Sequence, residues 1–189
     1  MTKDQLRKVI ADKCKLLGVN YRSSASLALL NHLLPLLDKA TNIAIYHAHN
    51  WELDLVDLIH YCNRRDKNLV QPVASRINKY MFFAPYNITD TAIFINEEYY
   101  SKNEKYSRWY NLDLILLPVV AVDRFGFRLG KGGGYYDTTL SAKKDSSTIF
   151  CGVGYSCQYL EHEVIPYDKW DIRLDYFITD KNMMKFDTD

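Results

Sequence analysis

The sequence predicts a single three-layer α/β domain over residues 1–189, a mostly parallel sheet flanked by helices in the Rossmann-like manner. Three observations carry that expectation. Short apolar runs rich in branched residues alternate with segments of helical periodicity. The strongest run, LDLILLPVV at 112–120, is almost unbroken, as a strand covered on both faces must be. No linker, repeat or low-complexity stretch divides the chain.

In order, Leu6, Val9, Ile10 and Cys14 recur at helical spacing and predict a helix over 2–16. A second, over 23–38, starts at a serine-rich cap and carries Leu27, Leu30, Leu34 and Leu37. TNIAIYHA at 41–48 is a buried strand, followed by a helix at about 52–65 with Leu55, Leu58, Ile59 and Cys62 as its apolar face. NLVQPV at 68–73 is a strand that Pro72 should stop. Residues 79–98 are aromatic and β-prone, and 99–111 form a polar loop. Strands at 112–120, 147–155 and 174–180 complete the sheet, the last of these being the final element.

The formal net charge is +1, which gives no global field to hold nucleic acid or an anionic membrane. An anionic ligand must then be held by a local constellation. The opening MTKDQLRKVI lacks the apolar run of a secretion signal, and no stretch approaches a membrane span, so a cytoplasmic location is expected. Cys14, Cys62, Cys151 and Cys157 form no CxxC pair, which disfavours zinc and suits free thiols, with Cys151 and Cys157 expected to be buried.

The informative segment runs from Asp123 to Asp137, DRFGFRLGKGGGYYD. Five of the eight glycines lie in it, directly after the strongest strand. Ligands of open α/β sheets bind beyond the carboxyl ends of strands, and glycines let backbone N–H groups converge on an anion. Arg128 and Lys131 add positive charge, and a helix starting near Gly134 would present its N-terminus. No Gly-Lys-Ser/Thr closes the loop, so it is not a Walker A motif. Its glycine spacing is also wrong for a dinucleotide fingerprint.

Taken with the strand before it, this segment resembles the signature of the 5-formyltetrahydrofolate cyclo-ligase family. The matching positions are Pro118, Asp123, Gly126, Arg128-Leu129-Gly130, Gly132 to Gly134, and Tyr135-Tyr136-Asp137. Weaker similarity covers most of the chain: Lys3 with Leu6-Arg7, IYHAHNWELD with His47 and Glu52, VQPV, Gln158, and Asp171. The chain departs from the family where a Gly-x-x-Glu-Pro segment is usual, its region being FINEEYYSKNEKYSRWYNLD. Val122, Thr138 and Trp170 also stand where other residues are customary.

The resemblance implies ATP-dependent closure of 5-formyltetrahydrofolate to 5,10-methenyltetrahydrofolate, with ADP and phosphate released and Mg²⁺ required. The γ-phosphoryl group passes to the formyl oxygen, N10 attacks the activated carbon, and phosphate leaves. It implies that Gly130, Lys131, Gly132, Gly133 and Gly134 wrap the nucleotide phosphates, with Tyr135 and Tyr136 beside them. Arg128 and Lys131 would be catalytic, and Lys3 and Arg7 would reach the phosphates from the first helix. Asp137 and Asp171 would hold magnesium. His47, Glu52, Lys131 and Tyr136 would meet the folate. The expected partners are ATP and 5-formyltetrahydrofolate, bound by a monomer.

Blander roles stand beside several of these. Lys3 and Arg7 could be a solvated helix face, and Asp171 a surface carboxylate. Glu52 could be a helix-start Glu favoured by the dipole, and Tyr136 a packing residue. His47 and His49 share a strand face at i and i+2, where packing is favoured over a metal site. The departures also admit a non-catalytic relative that binds folate or nucleotide without turnover.

Overall fold

The computed structural model describes residues 1–75, 78–87, 108–141 and 147–187, and the backbone of 94–95. The segment that departs most from the family pattern, at 96–107, lies outside the described residues.

Two helices open the chain, α1 (Lys3–Lys15) and α2 (Val19–Leu37). Thr2 caps α1 through a reciprocal box with Gln5, in which the Thr2 side chain accepts from the Gln5 backbone and the Gln5 side chain accepts from the Thr2 backbone. Then follow β1 (Asn42–Ala44), α3 (Val56–Arg64), β2 (Asn68–Ser75), β3 (Met81–Pro85) and β4 (Phe94–Ile95). After a 3₁₀ turn at Trp109–Asn111 come β5 (Leu114–Pro118), β6 (Ala121–Asp123), β7 (Arg128–Leu129) and α4 (Tyr135–Leu140). The chain ends with β8 (Ile149–Val153), a 3₁₀ turn at Ser156–Gln158, β9 (Tyr159–Leu160), β10 (Tyr176–Ile178) and β11 (Met183–Lys185).

The main sheet has the order β11-β10-β8-β5-β1-β2-β3, with β4 beside β2. Every pairing in it is parallel except β2–β3 and β10–β11. Chain order reverses between β1 and β5. The chain leaves β1 toward β2 and returns on β1's other side, so the carboxyl ends of β1 and β5 flank a topological switch point. A small sheet, β7-β6-β9, follows directly from β5 and stands at that end.

Side-chain alternation along β5 builds two cores. Leu114 and Leu116 pack with Leu29, Leu33, Leu37 and Leu58 of α2 and α3. Ile115 and Leu117 point the other way, among Phe83, Trp109, Leu140 and Phe150. Both faces of the sheet are thus buried, the physical reason for the unbroken apolar run. The three long helices contribute to the first core, and the short α4 to the second.

The structure moves several expected boundaries. Helix α2 begins at Val19, capped by Gly18 rather than by the serines, and Leu27 on it is exposed, as is Val9 on α1. Helix α3 begins at Val56, so Glu52 lies before it and is not a helix-start residue. Pro72 does not stop its strand. It faces Phe83, and the neighbouring bonds Tyr86 N to Leu69 O and Ser75 N to Tyr80 O put it at a non-hydrogen-bonded position of the β2–β3 ladder. Pairing with β1 ends at Val70, after the bond from Ile45 N to the Val70 carbonyl, and that is where a residue without an N–H can stand. One more strand, β11, follows β10 and pairs with it antiparallel.

The turn between β6 and β7 rests on Asp123, which is fully buried. Its Oδ1 accepts from the Phe125 and Phe127 N–H groups at 3.0 Å each, and its Oδ2 from Ile165 at 3.1 Å. Gly126 turns the chain with φ of 84°, and its carbonyl accepts from Leu174. A Cβ there would lie 2.7 Å from Cγ of the buried Phe186 ring and 3.1 Å from the Leu174 carbonyl oxygen. Gly126→Ala should therefore destabilise the fold by about 2–3 kcal/mol, combining a left-handed backbone with overpacking. A urea midpoint equal to that of the unmodified chain would refute this.

Candidate active site

A cavity of about 650 Å³ opens at the switch point. Residues after β1 (His47, His49, Glu52) form one wall and the Pro118–Val120 turn after β5 another. Pro72, Ala74 and Met81 of β2 and β3 supply an apolar side, and the glycine loop closes over the rest. Lys3 and Arg7 reach in from α1, and Trp170 with Asp171 from the segment before β10. All the residues assigned to a site from the sequence line this one space, although up to 168 positions separate them.

Gln158 shapes the turn after β5. Its buried amide donates to the Val119 carbonyl at 2.6 Å and to that of Val120 at 3.1 Å, while its oxygen accepts from Tyr155 N. The family-like Gln is therefore a scaffold residue that positions a cavity wall.

Arg128 is the most enclosed cation. Its side chain is only 4% exposed and donates from Nη2 to Asp137 Oδ1 at 2.9 Å. The guanidinium carbon lies 5.3 Å from the centre of the Tyr136 ring, and Nε is buried with no hydrogen-bond partner. A buried donor without a partner is costly, and an anion in the cavity could satisfy it. Gly130 makes this placement possible, since a Cβ there would lie 2.8 Å from an Arg128 terminal nitrogen. Burial holds the Tyr136 phenol above the usual tyrosine range, against the pull of Arg128, so it remains a neutral O–H donor. Its position on the cavity combines lining with packing, since it also touches the second core.

Arg7 reaches across to the loop, donating from Nε to the Gly130 carbonyl at 2.9 Å, and pairs with Asp4 at 2.5 Å. Its guanidinium also passes 3.5 Å from where a Gly132 Cβ would stand, and Gly132 has φ of 96°. Lys3 bonds Asp171 Oδ2 at 2.8 Å. Neither cation is an idle solvated face, nor is Asp171 a free surface carboxylate.

Asp137 and Asp171 meet through the backbone. Asp137 Oδ1 accepts from Ile172 N at 3.5 Å, and Ile172 directly follows Asp171. Asp171 Oδ2 also accepts from Asp168 N. No described hydrogen bond engages the second oxygen of either carboxylate. Among the described residues no three His, Cys, Asp or Glu side chains gather as a metal site. Magnesium, which keeps several waters and takes one or two carboxylates with substrate phosphates, needs no such cluster, and this pair fits it.

The Glu52 side chain is only 6% exposed and is held at both oxygens. Oε2 accepts from the His49 backbone at 2.9 Å, and Oε1 meets Lys131 Nζ at 2.7 Å. His47 points its Nε2 at Gln71 Oε1 at 2.6 Å and packs against Tyr86. Gln71 and Trp51, over which the Lys131 ammonium lies at 5.9 Å, were not legible as site neighbours. Both lie inside family-like segments, Trp51 in IYHAHNWELD and Gln71 in VQPV, but neither residue type marks a binding role by itself. Trp170 lines the cavity while half exposed, at the position where the chain departs from the family pattern.

The cysteines differ from expectation at one point. Cys151 is buried, and burial pushes its thiol up, but Cys157 is half-buried and lies 3.8 Å from Cys14, sulfur to sulfur. The shared contact lowers Cys157 to about 7 and raises Cys14.

A parallel sheet with a switch-point cavity, a glycine loop and four converging cations defines an α/β protein with a ligand site of the kind used for phosphorylated substrates. The chain belongs to the 5-formyltetrahydrofolate cyclo-ligase family, whose model matches residues 1–180. It is 31% identical over 185 residues to the 5-formyltetrahydrofolate cyclo-ligase of Haemophilus influenzae, covering 90% of this chain and 91% of that protein. The Aquifex aeolicus 5,10-methenyltetrahydrofolate synthetase structure superposes with a TM-score of 0.78 at 28% identity, over 100% of this chain and 95% of that one. The corresponding Mycoplasma pneumoniae synthetase gives 0.76 at 24% identity, over 96% and 100%, and speaks to the fold alone. Among the described residues no helix is long and apolar enough to cross a membrane.

Proposed function

We propose that this chain catalyses ATP-dependent cyclisation of 5-formyltetrahydrofolate to 5,10-methenyltetrahydrofolate, releasing ADP and phosphate. Membership of the family is the principal support, and the observation that carries the reading at the site is the buried, partly unpartnered Arg128 beneath the glycine loop. In this reading residues 1–189 act as one domain, a cytoplasmic monomer with ATP and the formylfolate as partners and no nucleic acid or membrane.

The chemistry asks the protein chiefly to position reactants and neutralise charge. Gly130 to Gly134 present backbone donors to the phosphates, with Tyr135 alongside, while Lys3 and Arg7 approach from α1. Arg128 holds a phosphate by its remaining donors, its plane fixed by Asp137 and the Tyr136 ring. Lys131 stands between that loop and the Glu52 carboxylate. Glu52 accepts from pterin N–H groups, with His47 and the neutral Tyr136 phenol lining the same end. Asp137 and Asp171 would hold Mg²⁺, which when bound would neutralise phosphate charge. The formyl oxygen takes the γ-phosphoryl group, N10 closes the ring, and phosphate departs.

The purified chain should generate the methenyl chromophore from 5-formyltetrahydrofolate only with ATP and a divalent cation present. A folded preparation at high concentration that binds both compounds yet yields no chromophore would replace this reading with that of a non-catalytic relative.

A further inference from the structure

Among the described residues three ion pairs line the cavity, and they differ in how easily they can open. Arg128–Asp137 has its cation 4% exposed, and Lys3–Asp171 has side chains 30% and 17% exposed. In Lys131–Glu52 the cation is 49% exposed and the anion only 6%. The ammonium rides on a long flexible stem between Gly130 and Gly132, so it can leave at small cost to itself. The carboxylate cannot follow it, because the His49 backbone holds its other oxygen. Glu52 left alone would be a buried charge with one of its two oxygens unpaired, which is unfavourable.

We propose that Lys131 is a positioning residue that couples the two substrates, holding Glu52 until pterin and nucleotide phosphate arrive and release it together. The inference rests on the reading in which Glu52 receives the pterin and Lys131 a phosphate. Nucleotide alone must draw Lys131 away and strand the Glu52 charge. Pterin alone must compete with an ammonium already 2.7 Å from the oxygen it needs. With both bound, phosphate takes the ammonium and the pterin N–H groups take the carboxylate. The opening of one pair is then shared between two ligands, so each strengthens the other by the same factor.

Calorimetric titration of the full chain with 5-formyltetrahydrofolate tests this, without nucleotide and then with saturating magnesium and a β,γ-imido ATP analogue. The analogue should tighten formylfolate binding by about ten-fold, and the reverse titration should return the same factor. In Lys131→Met the formylfolate alone should bind more tightly than to the unmodified chain, and the factor should fall below about two-fold. Lys131→Arg, which keeps the charge, should retain most of it. If both ligands bind the unmodified chain with no mutual effect, or the factor survives in Lys131→Met, the coupling is refuted while the proposed function stands. If 5-formyltetrahydrofolate does not bind under either condition, the functional reading fails and the coupling falls with it.

Discussion

Arg128→Ala should lower kcat/KM by about 10³ or more, the scale on which a single arginine acts in phosphoryl transfer. It should also loosen the fold. An arginine in an exposed loop would leave stability untouched, but here the side chain is almost wholly enclosed and neutralises Asp137. Removing it leaves a carboxylate that is 26% exposed without its cation, worth about 1–3 kcal/mol, below the cost of breaking a fully buried pair. The two effects separate in the double variant Arg128→Met with Asp137→Asn, in which no unpaired charge remains. Urea denaturation should show most of the stability returned, while turnover stays lost. A folded Arg128→Ala chain with unchanged ATP dependence would remove Arg128 from the site.

Magnesium dependence should expose the two carboxylates. Asn keeps the shape of Asp and removes the charge, and even partners outside a metal's ligand set are worth ten-fold or more in affinity. Asp137→Asn and Asp171→Asn should therefore each raise the magnesium needed for half-maximal rate by at least about ten-fold. The double change should cost less than the sum, because the two act on one ion. Asp137→Asn should also weaken the hold on Arg128, so its effect on ATP use should be the larger. Asp171→Asn leaves Lys3, a partly exposed cation, with Asp168 at 3.6 Å and with water to solvate it. A magnesium titration of Asp171→Asn that overlays the unmodified enzyme would reduce Asp171 to an anchor for Lys3.

Both expectations depend on contacts that no local pattern announces. The sequence by itself determined what local physics controls: the periodicity behind α1, the unbroken apolar character of β5, and the glycine run with its family-like spacing. It determined which residue types stand ready for phosphate, and hence most of the cavity's lining. It misplaced the start of α2 because Gly18 caps that helix without a side-chain bond, and the polar turn behind it carries no apolar period. It took Pro72 as a stop because the side of a strand that needs no N–H is set by which neighbour runs alongside and where it ends. Only the tertiary structure decided that Arg128 is buried, that Lys131 rests on Glu52, and that Lys3 meets Asp171 across 168 positions. The reason is the strand order. Reversal between β1 and β5 brings segments distant in sequence to one sheet end, and which charges then pair depends on distances and burial there.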